Sequence, residues 1–298
     1  MNNLYDDYVS YPKDTDKEET PNTAIHTIRK TMGETYWSHN VNNLSLIEYF
    51  NEVYDTISDW EYIAIDGPSC CGKSKLISNL NPMKVNEIYN VNEGNAYNMY
   101  GEAAISYFIL NDKFQKEKLT TDRSAISNIA YLMAYYVMNI MTNNCQYNRS
   151  MHSLCDEFVN FHNLKPCLEY IRAQNYNVLI LLDSSFEHSA IRTNLRGVSV
   201  GSTSDIVKSL CFEYHASQTA AFAYLANFMN YPCIDLDYVR TMFDITSDDN
   251  IFEANARGFK KHFKGKAENV TKIPCEKTNI SSPFMKYFHY IAIEMSNR

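Results

Sequence analysis

The chain lacks any run of about 18 consecutive apolar residues, which is the length that a membrane-spanning helix needs. Its first residues, 1–7, also lack the basic region and the apolar region that begin a secretory signal. From these two absences we expect a cytoplasmic protein that does not contact a membrane.

The chain also lacks closely paired cysteines and an excess of positive charge. The 8 Cys include no C-x-x-C pair and no spacing typical of secreted proteins, so we expect reduced thiols. The formal net charge is -8, whereas a protein that coats nucleic acid needs an excess of Lys and Arg on one surface. The sequence therefore predicts no direct binding to nucleic acid.

The 298 residues are 45% hydrophobic and include 23 Tyr and 15 Phe, which is typical of a globular protein with a substantial core. Composition divides the chain into three parts. Residues 1–43 are polar and interrupted by Pro12 and Pro21, so we predict a partly disordered N-terminal arm. Residues 44–240 form the predicted main domain, and residues 241–298 form a partly helical C-terminal extension.

Within the main domain, short apolar runs alternate with helical patterns. This rhythm is typical of βαβ units and predicts an α/β fold, with a parallel β-sheet flanked by helices on both faces. Strands are predicted at 61–66, 83–89, 118–122, 177–183 and 232–237, and helices at 45–60, 73–80, 103–114, 125–141, 154–173, 186–195 and 205–230. We also predict a movable loop of small residues at 197–204 and an exposed basic stretch at 259–266.

The strongest motif follows the first predicted strand and fits G-x-x-x-x-G-K-[ST], the phosphate-binding loop. Its glycines let the backbone curl so that several N–H groups face one cluster of anionic oxygens. The predicted nucleotide-binding residues are Gly67, Pro68, Ser69, Cys70, Cys71, Gly72, Lys73 and Ser74. In this motif the lysine lies near the β- and γ-phosphates and the serine hydroxyl can bind Mg²⁺.

Three further features lie at predicted strand ends or in the loops beyond them. Asp122 and Arg123 follow the third predicted strand, where the carboxylate can hold Mg²⁺ and the guanidinium can neutralise phosphoryl charge; a helix cap beside a surface arginine is the other interpretation. Glu87 can accept a proton from an attacking hydroxyl, or can simply be solvated. Arg192 and Arg196 lie four apart on a predicted helix, where they can clamp phosphoryl charge or form a solvated basic face.

Together these motifs resemble the deoxynucleoside kinase family, which includes the herpesvirus-type thymidine kinases, and the related thymidylate kinases. The resemblance extends from about residue 62 to residue 237. The matching segments are Asp66-Gly67-Pro68 with Gly72-Lys73-Ser74, then Val85-Asn86-Glu87, then Asp122-Arg123-Ser124, and finally the lid pattern Glu187, Arg192, Leu195, Arg196 and Gly197.

The resemblance implies a P-loop NTPase fold, with ATP and Mg²⁺ as cofactors and a small-molecule nucleoside or nucleotide as substrate. It further implies that Glu87 is the general base, that Asp122 lies near Mg²⁺, and that Arg123 lies near the 5′ oxygen of the substrate. Arg192 and Arg196 would be the lid arginines. Relatives often pair, so a homodimer is an expectation too. The motifs also suggest a large DNA virus, and for a viral protein the expected compartment is the cytoplasm or nucleus of the host cell.

The leading hypothesis is an ATP-dependent deoxynucleoside kinase that phosphorylates the 5′-hydroxyl, with thymidine as the first candidate. A thymidylate kinase is the first alternative, because the segment from Ser127 to Tyr131 suits either family. A catalytically degenerate nucleotide-binding scaffold is the second. It is motivated by the acidic N-terminal arm and by the short segment between Glu87 and Asp122, in which no Gln that reads a base precedes Gln115.

Overall fold

A computed structural model describes residues 44–77, 111–143 and 149–268 of the chain. The N-terminal arm, the predicted strand at 83–89 with Glu87, and the extension beyond 268 lie outside these ranges. The helices are α1 (Leu46–Asp55), α2 (Lys73–Ile77), α3 (Ser127–Asn143), α4 (Met151–Phe161), α5 (Lys165–Ala173), α6 (Phe186–Val200), α7 (Thr203–Ser209), α8 (Phe212–Met229), α9 (Leu236–Phe243) and α10 (Asp248–Glu268). No helix within the described ranges is both long and apolar enough to span a membrane.

The sheet has three parallel strands in the order β1 (Ala64–Asp66), β2 (Val178–Leu182) and β3 (Cys233–Asp235). Ala64 pairs with Val178 of β2, and on its other side it forms an isolated parallel bridge with Thr121. The predicted strand at 118–122 is therefore wrong in extent, because only this bridge forms there. The last predicted strand is also shorter than expected, since the Asp235 side chain accepts a hydrogen bond from the Asp237 N–H and so caps α9.

Helices cover both faces of the sheet, as predicted. All five residues of β2 are buried, and their side chains alternate between two hydrophobic clusters. Val178, Ile180 and Leu182 pack with α3, α4, α5 and α8. Leu179 and Leu181 pack with α1, α2, α9 and α10 on the opposite face. A strand with apolar residues at every position is what a sheet covered on both faces requires.

Two long helical predictions are each divided in the structure. The pattern at 154–173 forms α4 and α5, and the break comes before Pro166 rather than at it. Pro166 lies in the first turn of α5, where its missing N–H would have no helical partner in any case. The pattern at 205–230 similarly divides into α7 and α8.

The predicted loop at 197–204 is wrong, because α6 continues through Gly197 to Val200. The reversal is made instead by Gly201 at a positive φ of 69°. Gly197 has a packing role: a Cβ atom there would lie 2.9 Å from the backbone N of Ile206, so glycine lets α6 and α7 approach closely.

The predicted exposed basic stretch at 259–266 is wrong for its two phenylalanines, whereas Lys261 is exposed as predicted. It lies in α10, where Phe259 and Phe263 are 0% and 1% exposed and stack with ring centroids 5.0 Å apart. The two rings lie four residues apart and share the buried face of the helix. Gly258 of α10 lies against Phe50 of α1. Although α10 follows the predicted main domain in the chain, it is therefore part of the same hydrophobic core as β1.

Candidate phosphate-binding cleft

The predicted phosphate loop follows β1 directly and curls around its own lysine. Gly67, Cys70 and Gly72 have positive φ angles of 139°, 61° and 87°. The Lys73 ammonium donates hydrogen bonds to the carbonyl oxygens of Gly67 and Pro68, both at 2.6 Å. The side chain thus lies inside the curl of the loop, where an anion bound by the loop would meet its charge.

Gly67 is essential to this curl for two reasons. Its φ disfavours any side chain, and a Cβ atom at Gly67 would lie only 1.9 Å from the carbonyl oxygen of Leu181 in β2. The loop therefore leaves the sheet by passing directly over the neighbouring strand.

We expect the substitution Gly67→Ala to lower the free energy of unfolding by about 3 kcal/mol or more, because a backbone carbonyl cannot move aside without breaking the sheet. Gly201→Ala is the matched control, since Gly201 also has a positive φ but no heavy atom within 4 Å of the added Cβ. That change should cost about 1 kcal/mol. Urea unfolding measures both, and equal losses would contradict the crowding at Gly67.

Asp66 connects the loop to the segment that contains Asp122 and Arg123. Its carboxylate is fully buried and accepts hydrogen bonds from the Gly67 N–H at 2.8 Å and from the Ser124 hydroxyl at 2.6 Å. The Ser127 hydroxyl at the start of α3 donates to the same carboxylate. These bonds fix the turn after Asp122 beside the phosphate loop.

A cleft of about 840 Å³ opens over the loop. Among the described residues, six cationic side chains line it: Lys73, Lys75, Arg123, Arg192, Arg196 and Lys208. The acidic residues of the same ranges in the lining are Asp122 and Asp205. Because the whole chain has a net charge of -8, this concentration of positive charge is a local feature, and it favours an anionic ligand.

Arg192 is built into the wall of the cleft. Its side chain is 14% exposed, and its Nε donates a hydrogen bond to the carbonyl oxygen of Cys70 in the phosphate loop at 2.7 Å. The guanidinium also forms ion pairs with Asp183 and Asp248. Arg192 therefore supports the loop from behind as well as facing the cleft.

Arg240 completes a closed set of four charges, here called the ion ring: Asp183, Arg192, Arg240 and Asp248. Arg240 donates to Asp183 at 2.6 and 3.0 Å and to Asp248 at 2.7 Å. Burial alone would lower the pKa of Arg240, but its hydrogen bonds to Asp183 and Asp248 raise that pKa above the ordinary value. Burial opposes ionisation of Asp248 too, yet Arg240 and Arg192 lower its pKa. Each arginine is thus balanced by carboxylates.

Arg196 has a different environment. Its side chain is 43% exposed, and its Nε and Nη2 donate to the two carboxylate oxygens of Asp205, each at 2.8 Å. This fork joins α6 to α7 at the rim of the cleft. Both arginines predicted from the sequence therefore reach the cleft, but Arg192 is part of the buried ion ring and Arg196 lies at the surface.

His215 lies behind the cleft on α8. Burial lowers its pKa from the ordinary 6.5 to about 4, with Arg192 adding to the shift while the Lys208 backbone and Asp183 oppose it. Its Nε2 is buried without a hydrogen-bond partner in the described part of the chain.

We expect this histidine to make the protein less stable in acid. Because the folded-state pKa lies below the unfolded one, its contribution is complete above pH 6.5 and is lost as the pH falls towards 4. The loss should reach roughly 3 kcal/mol, at about 1.4 kcal/mol per pKa unit. Urea unfolding across this range should show a smaller decline for His215→Gln, and identical declines would count against the prediction.

The structure brings most of the predicted site residues together. Ser69 to Ser74, Asp122, Arg123, Arg192 and Arg196 line one cleft, Gly67 and Pro68 lie buried at the start of the loop, and Glu87 falls outside the described residues. No group of three or more His, Cys, Asp or Glu that could hold a metal occurs within the described ranges.

Several residues of the site were not predicted from the sequence. They include Asp183, Arg240 and Asp248 of the ion ring, together with Lys75, Lys208, Tyr214 and Phe252 in the lining. Only Asp183 carried a usable signal, because it directly follows the most apolar strand, and side chains at that edge of a sheet often contact ligands.

Comparisons of the chain with protein family models, with curated proteins and with solved structures found no match.

Proposed function

We propose that the protein is an ATP-dependent kinase that transfers the γ-phosphoryl group of ATP to the 5′-hydroxyl of a deoxynucleoside, with thymidine as the first candidate. One observation carries the proposal: the curled loop with Lys73 inside it forms the floor of a cleft lined by six cations. Phosphoryl transfer depends mainly on positioning and on stabilising negative charge, and this cleft offers both.

The sheet supports a P-loop NTPase fold as part of the same proposal. Thr121, β1, β2 and β3 lie side by side and parallel, and the phosphate loop leaves the carboxyl end of β1. Open α/β sheets bind their ligands at this edge. The turn at Asp122 and the residue Asp183 follow neighbouring segments and reach the same edge.

The cleft also offers ligands that suit Mg²⁺. The exposed Ser74 hydroxyl and the Asp122 carboxylate both line it, and oxygen ligands of this kind, together with phosphate oxygens and water, are what Mg²⁺ prefers. When bound, the ion would neutralise part of the phosphate charge. Lys73, Arg123 and Arg196 would bind and orient the remaining oxygens.

The acceptor is assigned to the side of the cleft where Arg123 lies. Its Nη1 donates a hydrogen bond to the Tyr131 hydroxyl at 3.1 Å, and the lining continues from Tyr131 to Tyr135 and Tyr214. Aromatic side chains beside a cation suit a base joined to a sugar and a reacting oxygen. Glu87 stays a prediction for the general base.

A thymidylate kinase is the second candidate. Arg123, Arg196 and Lys208 line the cleft outside the phosphate loop, and a monophosphate acceptor needs cations in addition to those that hold the donor. The nucleoside kinase proposed first uses Arg123 and Arg196 for the transferred group alone, whereas a monophosphate kinase would use some of these cations for the acceptor phosphate.

The test is to incubate the full chain with Mg-ATP and a panel of nucleosides and nucleoside monophosphates, and to separate the products by chromatography. Formation of a nucleoside monophosphate supports the proposal, whereas formation of a diphosphate supports the second candidate. ATP binding without any product would overturn both and favour a nucleotide-binding scaffold.

A further inference from the structure

We propose that the outer face of α6 binds the C-terminal segment of the same chain, residues 283–295, as an amphipathic helix. The inference does not depend on the proposed function, because it concerns the solvent side of α6 rather than the cleft. Three observations support it: an aliphatic stripe exposed on α6, a matching stripe in the sequence of the segment, and a length of chain that can join the two.

The outer face of α6 is apolar, although it faces solvent. Ile191, Leu195 and Val198 are 51%, 64% and 68% exposed, and their spacing of four and three residues places them along one side of the helix. The buried side of α6 consists instead of small residues, namely Ser189, Thr193 and Gly197. A surface helix normally has the opposite arrangement, so the stripe is expected to have a partner that no described residue supplies.

Helix α6 is held in place, so its stripe is a fixed surface. At its start the Ser185 side chain accepts a hydrogen bond from the His188 N–H, and at its end Gly201 takes the left-handed conformation. On the cleft side, the ion pairs of Arg192 and Arg196 fix the rotation of the helix about its axis. The three aliphatic side chains therefore keep pointing away from the cleft.

The C-terminal segment lies outside the described residues, but its sequence has the same spacing as the stripe on α6. A serine followed by Pro283 is a signal for the start of a helix. Apolar residues then recur at intervals of four, three and four: Phe284, Phe288, Ile291 and Met295. Alternating intervals of three and four are the pattern by which two helices pack along one seam. The two stripes therefore suit each other.

The length of the chain allows this contact. Helix α10 begins at Asp248, which pairs with Arg192 of α6, and its 21 residues extend about 30 Å to Glu268. Residues 269–282 can then span up to about 45 Å when extended. The segment can therefore return from the end of α10 to α6.

The small size of the stripe favours this tethered partner over a second copy of the chain. Three aliphatic side chains cover far less than the roughly 1,200 Å² that a stable interface between separate chains buries. A tether within one chain raises the effective concentration of the segment to the millimolar range, so a contact of modest area suffices.

Hydrogen exchange of the full chain, measured by mass spectrometry, tests the contact. Phe288→Asp should speed exchange in α6, and Leu195→Asp should speed exchange in residues 283–295. Each increase should be about tenfold or more, because a charge placed in a packed seam separates the two helices. Each variant is measured in the other element, so the local effect of the substitution does not enter.

Matched controls place the same charge outside the seam. Ile293→Asp changes the segment, but position 293 falls on the opposite side of the predicted helix from the stripe, so exchange in α6 should not change. Phe161→Asp replaces another exposed apolar side chain, 53% exposed at the end of α4, and exchange in residues 283–295 should not change.

Circular dichroism shows whether each variant folds, and sedimentation velocity identifies the partner. Phe288→Asp keeps the test valid if Leu195→Asp does not fold, because it leaves α6 unaltered. Unchanged exchange in α6 in folded Phe288→Asp would overturn the inference. A dimer that Leu195→Asp dissociates and Phe288→Asp does not would overturn it too, since the partner would then be a second copy.

Discussion

Replacing Lys73 with alanine should lower kcat for phosphoryl transfer by a factor on the order of 10³. The Lys73 ammonium lies inside the curl of the phosphate loop, within 2.6 Å of the Gly67 and Pro68 carbonyl oxygens, so no other side chain can take its place without rebuilding the loop. Its charge is expected to stabilise the negative charge on the transferred group more strongly in the transition state than in the bound substrate. The loss should therefore appear in kcat as well as in KM.

The control for this prediction is Lys113→Ala. Lys113 is 64% exposed, pairs with Glu117 four residues further on, and does not line the cleft, so its removal changes the same net charge without touching the site. Both variants should melt cooperatively, and steady-state kinetics with ATP and the best acceptor of the panel then compares their kcat values. Turnover of Lys73→Ala within tenfold of the unaltered protein would remove the loop from the reaction.

Replacing Asp183 with alanine should lower the free energy of unfolding by about 3–5 kcal/mol. The Asp183 side chain is 1% exposed and accepts hydrogen bonds from both Arg192 and Arg240. Without it, the guanidinium groups of Arg192 and Arg240 share the carboxylate of Asp248, and Arg240 keeps only a longer contact of 3.6 Å with the partly exposed Asp237. Most of the expected cost comes from this uncompensated charge, rather than from the loss of the original attraction.

Two further variants separate that explanation from a general sensitivity of the region. Asp237→Ala removes a carboxylate that lies 3.6 Å from Arg240 but is 27% exposed, and it should cost about 1 kcal/mol or less. Asp183→Leu combined with Arg240→Met removes one charge of each sign, and it should be more stable than Asp183→Ala. Urea unfolding measures all three. If the double variant is no more stable than the single one, uncompensated charge is the wrong cause.

The parts of this fold that the sequence predicts well depend on neighbours in the chain. The apolar run at 177–183 predicts β2, the glycine spacing from Gly67 to Gly72 predicts the curled loop, and the burial of β2 on both faces predicts helices on both sides. Each of these signals is local, because strand propensity and turn geometry are fixed within a few residues.

The parts that the sequence does not predict depend on partners far along the chain. The sequence predicts that Gly197 lies in a loop. In the structure it lies in a helix, and a glycine is needed there because Ile206 of the next helix packs closely against it. The basic residues after Phe259 predict an exposed segment, but Phe259 and Phe263 on the other face of the helix are buried against α1. Propensity gives way to tertiary packing at both places.

The candidate site shows the same division. Asp122, Arg123, Arg192 and Arg196 are predicted because each belongs to a short motif. The ion ring that surrounds Arg192 is not predicted, since its four members lie between residues 183 and 248 and no short pattern joins them. The hydrogen bond from the Ser69 N–H to the Gln218 side chain is likewise not predicted, because the two residues lie 149 positions apart in the chain.

The first two turns of α10 are linked to the phosphate loop in two ways: Asp248 pairs with Arg192, which donates a hydrogen bond to the Cys70 carbonyl, and the Phe252 ring lies directly against Gly72. Thermodynamic linkage gives this contact a reciprocal meaning. If a nucleotide binds more tightly when α10 is docked, it must stabilise the docked helix by the same factor. Hydrogen exchange along α10 would then slow on nucleotide binding, so the helix would report occupancy of a loop nearly two hundred positions earlier in the chain.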